Sequence, residues 1–371
     1  MGELIHLFED EKFVDSTIEQ FEAVAPGKNR YLVFSDHQPL NHPKRVDKIE
    51  ILPNRFGALN LPSIYQDCDF IMVHYMTPIK AYVVKNKPAD IPVLWSVWGK
   101  DAYDHFSDFE QFLPITRKLV KWDYRNLLKR SPIYQVYHQL KYGVKSIDKE
   151  KEVLEKIDFL STVLPTEYKL ICSEFGLRAK YVQFNYDSLG NTLQEKTNTS
   201  LGDRVLLGNS ATPTNNHLDV FPFLKDRGHL LVVPLNYGDR LYASKIVEAG
   251  QNCFGHNFLP ILEYMDFRAY KGLVRDCNSM IMYHLRQQGL GNILLALQLG
   301  LRVFLHPFGA VYQYMKNIGM EVFDPDKDRE LIGVELLNEQ KIKNRGLVNK
   351  YWGEAQIYQG TTNIVDLVRS E

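Results

Sequence analysis

The chain has 371 residues, of which 45% are hydrophobic and 24% are charged, and its formal net charge at pH 7 is −1. This length exceeds the usual size of one hydrophobic core, so two domains are expected. The balanced charge gives no sign of a polyanionic partner. No run approaches the roughly 18 apolar residues of a transmembrane helix, and Glu3 interrupts any signal-peptide core, so a cytoplasmic protein is expected. The cysteines lack CxxC spacing, which predicts reduced thiols and neither a disulfide framework nor a zinc site: Cys68, Cys172, Cys253 and Cys277.

Short apolar runs alternate with helical patterns along the whole chain. The runs that predict buried parallel strands are Leu4–Phe8, Tyr31–Phe34, Phe70–Val73, Val93–Val97, Arg204–Leu207, Leu230–Val233, Ser279–Tyr283 and Val303–Leu305. The segments with helical spacing are Val14–Val24, Pro78–Asn86, Asn215–Lys225, Arg240–Ala249, Phe267–Asp276 and Asn292–Leu299. Alternating strands and helices predict an α/β protein with two doubly wound parallel sheets.

A polar stretch, residues 187–203, separates the two halves and contains few large apolar residues. It is interpreted as a linker between an N-terminal domain, residues 1–186, and a C-terminal domain, residues 204–371. The last helix of the chain is a candidate to pack back on the N-terminal domain.

The loop after Arg204–Leu207 is rich in small and hydroxylated residues. In open α/β sheets, ligands bind at the carboxyl ends of the strands, and a following helix offers free N–H groups to an anion. The candidate binding residues are Gly208, Asn209, Ser210 and Thr212. The alternative is an exposed turn in which Thr214 or Asn215 caps the next helix.

A second glycine-bearing loop precedes the apolar helix Asn292–Leu299. Its candidate residues are Arg286, Gln287, Gln288, Gly289, Gly291 and Asn292. Arg286 offers a guanidinium that matches phosphate geometry. Two such loops in one domain suit a diphosphate. The alternative is that Arg286 pairs with a surface acid and the glycines only turn the chain.

Several stretches resemble the signature segments of one enzyme family. They are GNSATPTNNH (208–217), RQQGLGN (286–292), VLWSVWGKDAYDHF (93–106), VVPLNYG (232–238) and the opening MGELIHLFEDEKF. They resemble glycosyltransferase family 56, the TDP-N-acetylfucosamine:lipid II N-acetylfucosaminyltransferase family, in matching order along most of the chain and most firmly over residues 204–323. The resemblance implies the GT-B architecture, two Rossmann-like domains facing each other across a cleft. It adds Asn236 and Tyr237 to the candidate nucleotide-sugar contacts.

The chain departs from the family pattern at several positions. Ala211, Thr212 and Pro213 stand where a second glycine and charged residues are usual, and Asn292 replaces a common Thr. Helix 292–299 also lacks the Glu with which many other GT-B enzymes hold the ribose. The phosphate role is compatible with these changes, but the nucleotide and the sugar are left open.

The resemblance implies chemistry in which an acceptor hydroxyl loses a proton while a nucleotide diphosphate leaves. Amides and cationic side chains stabilise the leaving group in such enzymes, so no metal or other cofactor is expected. The DCD triplet at 67–69 has the spacing of a metal-binding DxD motif, but it precedes a strand and therefore lies at the wrong sheet edge for a metal site.

Two residues of the N-terminal domain are candidates for the base. Asp101 follows strand Val93–Val97 in the WGKD loop, and His74 ends the strand FIMVHY. The alternatives are an N-cap role for Asp101 and either an acceptor-diphosphate contact or a packing role for His74. The sequence does not decide between inversion and retention of the anomeric configuration.

A basic segment with interleaved aromatic residues spans residues 114–145. Its helical pattern predicts contact with an anionic membrane surface through Lys118, Lys121, Trp122, Arg125 and Lys129. The alternative is a solvated helix whose apolar residues face the core, and no nucleic-acid-binding fold accompanies the patch.

The sequence thus predicts a glycosyltransferase bound peripherally to the inner face of the cell membrane. It would move an N-acetylated amino-dideoxy sugar from a dTDP-sugar donor to a polyprenyl-diphosphate-linked saccharide during surface polysaccharide synthesis. The alternatives are a GT-B-like polysaccharide pyruvyl transferase and a nucleotide-sugar-binding module without catalytic activity.

Overall fold

The computed structural model describes residues 2–106, 109–121, 136–137, 139–141, 151–186 and 202–370. Its strands are β1 (Glu3–Glu9), β2 (Asn29–Phe34), β3 (Ile49–Leu52), β4 (Cys68–His74), β5 (Val93–Val97), β6 (Phe159–Thr162), β7 (Lys180–Tyr181), β8 (Arg204–Leu207), β9 (Leu231–Pro234), β10 (Phe258–Ile261), β11 (Cys277–Met282) and β12 (Arg302–Leu305). Its main helices are α1 (Val14–Val24), α2 (Leu61–Tyr65), α3 (Pro78–Lys85), α4 (Lys100–Tyr103), α5 (Pro114–Lys121), α6 (Lys151–Leu154), α7 (Glu167–Phe175), α8 (His217–Leu224), α9 (Arg240–Phe254), α10 (Phe267–Arg275), α11 (Leu290–Leu299), α12 (Ala310–Asn317), α13 (Asn338–Trp352) and α14 (Glu354–Ser370).

The strands form two parallel sheets. One has the order β3-β2-β1-β4-β5-β6-β7 and the other the order β10-β9-β8-β11-β12. Every strand pair in both sheets is parallel. This confirms the predicted α/β fold with two doubly wound sheets.

The first compact unit comprises the described residues of Met1–Phe109, Arg125–Ser188 and Glu354–Glu371. Successive residues of β1 point to opposite faces of its sheet, because Ile5 and Leu7 belong to one buried cluster and Leu4 and Phe8 to another. Both faces are therefore covered, which explains why the predicted strands are almost continuous apolar runs.

Helix α14 covers one face of the first sheet together with α1. Its Ile364 and Val365 are buried in the same cluster as Phe21 of α1. Gln20 of α1 also donates to Thr361 Oγ1 of α14 over 3.3 Å. The last helix is thus part of the first unit.

The second unit comprises the described residues of Glu110–Tyr124 and Leu189–Gly353. This division differs from the predicted boundaries, which assigned helix α5 to the N-terminal domain. Helix α5 groups with the second unit because it is hydrogen-bonded to α8: Asp219 Oδ2 of α8 accepts from Thr116 Oγ1 of α5 over 2.7 Å. Most of the predicted linker 187–203 lies outside the described residues, and the linker stays a prediction.

Four strands are absent from the sequence-based prediction: β3, β6, β7 and β10. Strands β3, β7 and β10 lie at sheet edges, where fewer neighbours require an apolar pattern. β3 is only half-buried, β7 has two residues, and β10 contains a proline, which edge strands tolerate. Among the residues described, no helix is both long enough and apolar enough to cross a membrane.

Candidate functional site

The loop after β8 turns at Gly208, which has a φ of 71°. Its N–H donates to Ile281 O over 2.9 Å, so the turn is anchored to β11. A Cβ at this position would lie 2.5 Å from His217 Nε2. Glycine is therefore required here both by the left-handed backbone and by the close approach of His217.

The fully buried Asn215 organises this loop. Its Oδ1 accepts from Asn209 N over 3.0 Å, and its Nδ2 donates to Ser210 O over 3.0 Å and to Thr212 Oγ1 over 2.9 Å. His284 Nε2 lies 2.9 Å from the same Oδ1. Asn215 is thus the internal support of the loop and not a simple helix cap. The predicted helix start at Asn215 moves to His217, because Pro213–Asn215 forms a 3₁₀ turn.

The second glycine loop precedes α11 and joins the first through Gln288. Gln288 Nε2 donates to Thr212 Oγ1 over 3.1 Å, and its Oε1 accepts from Thr214 Oγ1. Gly289 has a φ of 64°, and a Cβ there would lie 2.9 Å from Met282 Cε. The two loops predicted from sequence are therefore in direct contact.

The first turn of α11 presents N–H groups to a ligand. The first hydrogen bond of the helix is the one that Ile293 N donates to Gly289 O over 3.1 Å. The N–H groups of Leu290, Gly291 and Asn292 precede it and have no acceptor within the helix. Since α11 has ten residues, its N-terminus also carries the positive end of a helix dipole. This arrangement suits an anion.

A third loop, after β9, braces the first. Ala211 N donates to Tyr237 O over 2.8 Å, and Asp239 N donates to Ala211 O over 3.0 Å. Asn209 Nδ2 donates to the hydroxyl of Tyr237 over 3.3 Å. The Tyr237 side chain is otherwise 58% exposed, and Asn236 beside it is half-buried. Both predicted residues thus adjoin the loop that begins at Gly208.

Arg286 is the only charged residue in residues 208–214 and 285–292. It is 7% exposed, and its Nη1 donates to Gln287 O over 2.9 Å. Burial, with the charge of Arg286 and the neighbouring His217, keeps the pKa of His284 well below its usual value. Burial likewise lowers the pKa of His217 to about 3. Both imidazoles are therefore neutral at pH 7, and the net local charge comes from Arg286.

In the first unit, Asp101 is buried and both of its carboxylate oxygens are occupied. Oδ2 accepts from Met76 N and from Trp95 Nε1, each over 2.9 Å, and Oδ1 accepts from Trp98 N over 3.0 Å. Burial raises the pKa of Asp101, and these hydrogen bonds oppose the rise. The carboxylate thus ties the turn after β5 to Trp95 within β5 and to Met76 in the loop after β4.

His74 is fully buried at the end of β4 and is engaged at both ring nitrogens. Nε2 lies 3.0 Å from His6 Nδ1, and Nδ1 lies 2.6 Å from the Tyr186 hydroxyl. Burial, followed by the charges of His6 and Lys80, holds the pKa of His74 well below its usual value. The neutral, enclosed imidazole of His74 stacks on the ring of Phe8, and the two ring centroids are 3.9 Å apart.

The predicted membrane segment is only partly covered by the structure. Lys118 is exposed, whereas Leu119 packs against the core of the second unit. Trp122, Arg125, Lys129 and the side chain of Lys121 lie outside the described residues.

Comparison with known proteins gives one family match, which covers most of the second unit. Residues 180–339 match the family model described as 4-alpha-L-fucosyltransferase, glycosyl transferase group 56. Both glycine loops of the site fall inside this match, and the family predicted from the sequence is confirmed. The protein is a glycosyltransferase.

Solved structures resemble the whole chain. A glycosyltransferase from Rickettsia africae matches with a TM-score of 0.64 at 12% identity, covering 100% of this chain and 99% of the other. HepE from Anabaena, in complex with UDP and glucose, matches with a TM-score of 0.62 at 12% identity, covering 100% of both chains. The N-terminal domain of Candida albicans trehalose-6-phosphate phosphatase matches with a TM-score of 0.63 at 8% identity, covering 100% and 97%. These similarities establish the GT-B fold.

No cluster of three metal-ligating side chains occurs in the part of the chain that the structure describes. The DCD triplet at 67–69 reaches into β4, which begins at Cys68, and Asp69 accepts from the backbone N–H of Gly2. The expectation of a metal-independent enzyme stays a prediction.

Three residues that support the two glycine loops are not evident from the sequence. The sequence predicts only a possible cap at Asn215, and it gives no sign of the contacts of His217 and His284. His284 lies 69 residues from its partner Asn215 in the chain, so no local spacing reveals the contact. The Asn pair at 215–216 was the one available signal.

Proposed function

We propose that this glycosyltransferase moves an N-acetylated amino-dideoxy sugar of the N-acetylfucosamine type from dTDP to a polyprenyl-diphosphate-linked saccharide. The observation that carries the proposal is the pair of interlocked glycine loops, bridged by Gln288. They bring Arg286 and the first turn of α11 together in a domain of group 56. The enzyme class is that of a hexosyltransferase.

The donor diphosphate would bind where the two glycine loops meet. The N–H groups of Leu290, Gly291 and Asn292 donate to its oxygens, and Arg286 neutralises the charge that grows as the bond to the sugar breaks. Gly208 and Gly289 allow the backbone to approach the phosphates closely. Tyr237, exposed at the edge of the first loop, would contact the nucleoside or the sugar. The solved complex of HepE with UDP and glucose supports a nucleotide-sugar donor for this fold.

The catalytic step would need no metal, because the helix N-terminus and Arg286 supply the electrostatic stabilisation. Turnover in excess EDTA should therefore equal turnover in its absence. A loss on chelation that magnesium or manganese restores would contradict this part of the proposal.

The acceptor would carry its lipid in the bilayer, so the enzyme would act at the inner face of the cell membrane. The basic, aromatic segment 114–145 supports membrane contact, and of its five candidate contact residues Lys118, which is exposed, is the one whose side chain the structure describes. Membrane contact and donor choice are tested separately.

Donor choice is tested by calorimetry with dTDP, UDP, GDP and phosphoenolpyruvate. Tightest binding of dTDP is expected, and preference for phosphoenolpyruvate would favour the pyruvyl transferase alternative. Transfer from dTDP-N-acetylfucosamine to a polyprenyl-diphosphate-linked disaccharide is then measured. Binding of dTDP with no transfer to any lipid-linked acceptor would favour a binding module.

A further inference from the structure

Glu11 lies at the carboxyl edge of the first sheet. It follows β1, which ends at Glu9, and β1 pairs in parallel with β4, which ends at His74. In open parallel sheets this edge is where ligands bind. Glu11 therefore shares an edge with Asp101 and His74, the two residues that the sequence favoured as the base.

Glu11 is held by the fully buried Lys80 of α3. Lys80 Nζ lies 3.0 Å from Glu11 Oε1 and also donates to the carbonyl oxygens of His74, over 2.6 Å, and Tyr75, over 3.0 Å. One carboxylate oxygen is thus fixed in place by a cation that is itself fixed by the backbone. This is the type of support that a positioned catalytic group requires.

The second oxygen of Glu11 differs from every acceptor atom of Asp101 and His74. Oε2 is enclosed and has no hydrogen-bond partner among the described residues, while the side chain as a whole is 13% exposed. An enclosed carboxylate oxygen without a donor is costly unless a ligand supplies one. The acceptor atoms of Asp101 and His74, by contrast, are occupied by protein groups.

The environment also makes Glu11 a stronger base than an ordinary carboxylate. Burial raises its pKa, the adjacent Lys80 opposes the rise, and Glu9 adds to it. A carboxylate whose pKa is raised toward the working pH takes up a proton more readily in the transition state.

We propose that Glu11 is the general base that removes the proton from the acceptor hydroxyl, with Lys80 as its positioning residue. This inference rests on the proposed function. The acceptor O–H bond breaks and its proton passes to Glu11 Oε2, while the acceptor oxygen bonds to the anomeric carbon. The bond from that carbon to the diphosphate oxygen breaks, and its electron pair leaves with the nucleoside diphosphate. A single displacement of this kind inverts the anomeric configuration.

The test compares Glu11→Gln with the wild type in transfer from dTDP-N-acetylfucosamine to a polyprenyl-diphosphate-linked disaccharide. Turnover should fall by about 10²–10⁴-fold, the usual contribution of a positioned base, while dTDP affinity by calorimetry changes by less than about twofold. Glu155→Gln, the same change at an exposed glutamate of the same unit, should keep turnover within about threefold. Turnover of Glu11→Gln within tenfold of the wild type would overturn the proposal.

A counter-ion role for Glu11 beside Lys80 predicts a different result. It would lower Tm but leave turnover per folded molecule unchanged. Glu11→Asp keeps the negative charge but shortens the side chain by one methylene group. This variant replaces Glu11→Gln in the test if Glu11→Gln does not fold. Loss of turnover in Glu11→Asp at an unchanged Tm supports the base role, and retained turnover overturns it.

Rescue of Glu11→Ala by sodium formate, an external carboxylate, supports the base role, since a small anion can occupy the vacated space. A product that keeps the donor's anomeric configuration overturns the proposal, because that outcome needs no base of this kind. Absence of transfer in the wild type with every dTDP-sugar contradicts the proposed function instead, and is thereby distinguished from a failure at Glu11.

Discussion

At the scale of single residues, Arg286 is the one charged residue of the two glycine loops, residues 208–214 and 285–292. Its guanidinium is almost enclosed and is oriented by the carbonyl of Gln287, so little side-chain entropy is left to lose on binding a diphosphate. Arg286→Ala should weaken dTDP binding by about 1.5–3 kcal/mol, the range for a charged hydrogen bond. Calorimetry measures this directly.

Arg268→Ala is the matched control for Arg286→Ala. Arg268 is exposed on α10 of the same unit, so its removal should leave dTDP affinity unchanged. Equal affinity of both variants would remove Arg286 from the donor site.

The residues that the sequence could predict are those with a local signature. Gly208 and Gly289 were recognisable because each stands between an apolar strand and a helical pattern. The saturated hydrogen bonding of Asp101 was not recognisable, since one of its donors, Met76, lies 25 residues away. A carboxylate at the end of a strand looks the same in sequence whether it binds a substrate or fixes a turn.

At the scale of elements, the turn between β8 and α8 depends on the absence of a side chain at Gly208. Gly208→Ala should destabilise the second unit by about 1–2 kcal/mol for the left-handed backbone and by about 1–3 kcal/mol more for the collision with His217. It should also weaken dTDP binding, because the loop must shift. Chemical denaturation and calorimetry measure the two effects.

Gly228 provides a close control for this prediction. Its φ of 70° matches the 71° of Gly208, but a Cβ there would meet no atom within 4 Å. Gly228→Ala should therefore show only the backbone cost and bind dTDP normally. Identical losses in the two variants would mean that the approach of His217 has no consequence.

Helix α5 is the first part of the basic segment 114–145, and Thr116 of α5 donates to Asp219 of α8 in the second unit. Charge reversal at Lys118, Lys121, Arg125 and Lys129, each to Glu, should release the protein from anionic liposomes. Each cation near such a surface contributes about 1 kcal/mol. Co-sedimentation measures the loss.

Charge reversal at four exposed lysines elsewhere is the control, because it changes the net charge by the same amount: Lys28, Lys44, Lys48 and Lys225. Equal binding of both variants would mean that segment 114–145 is only a solvated surface.

At the scale of the whole molecule, buried neutral histidines in both units should make the free energy of unfolding decrease at acid pH. Burial lowers the pKa of His6 and His217 to about 3, and it holds the pKa of His74 and His284 well below the usual value. The unfolded chain binds these protons near pH 6.5 and the folded chain does not. Stability is therefore complete above about pH 6.5 and is lost as the pH falls, by about 1.4 kcal/mol per pH unit for each histidine.

Urea unfolding between pH 7 and pH 5 measures this slope. His217→Gln should make the decline of the second unit shallower, because one proton-linked group is removed. The exposed His256→Gln should leave the slope as it is. A slope that is unchanged in His217→Gln would show that this imidazole is protonated in the folded protein.

The fold class was predictable because both sheets are covered on two faces, so their central strands are continuous apolar runs. Edge strand β3 was not predictable, since IEIL is short and half-buried on a single neighbouring strand. The grouping of α5 with the second unit could not be foreseen either, because it depends on hydrogen bonds between residues about a hundred positions apart.

Helix α14 gives the first unit an unusual dependence on the order of synthesis. The apolar face that Ile364 and Val365 cover is made early, within α1 and the first strands, whereas the covering helix is translated after the entire second unit. At about 5–20 residues per second, that surface waits roughly 15–65 seconds on the ribosome for its partner. During this interval the nascent chain exposes Phe21 and its neighbours. We therefore expect a chaperone that recognises apolar segments to bind the nascent chain.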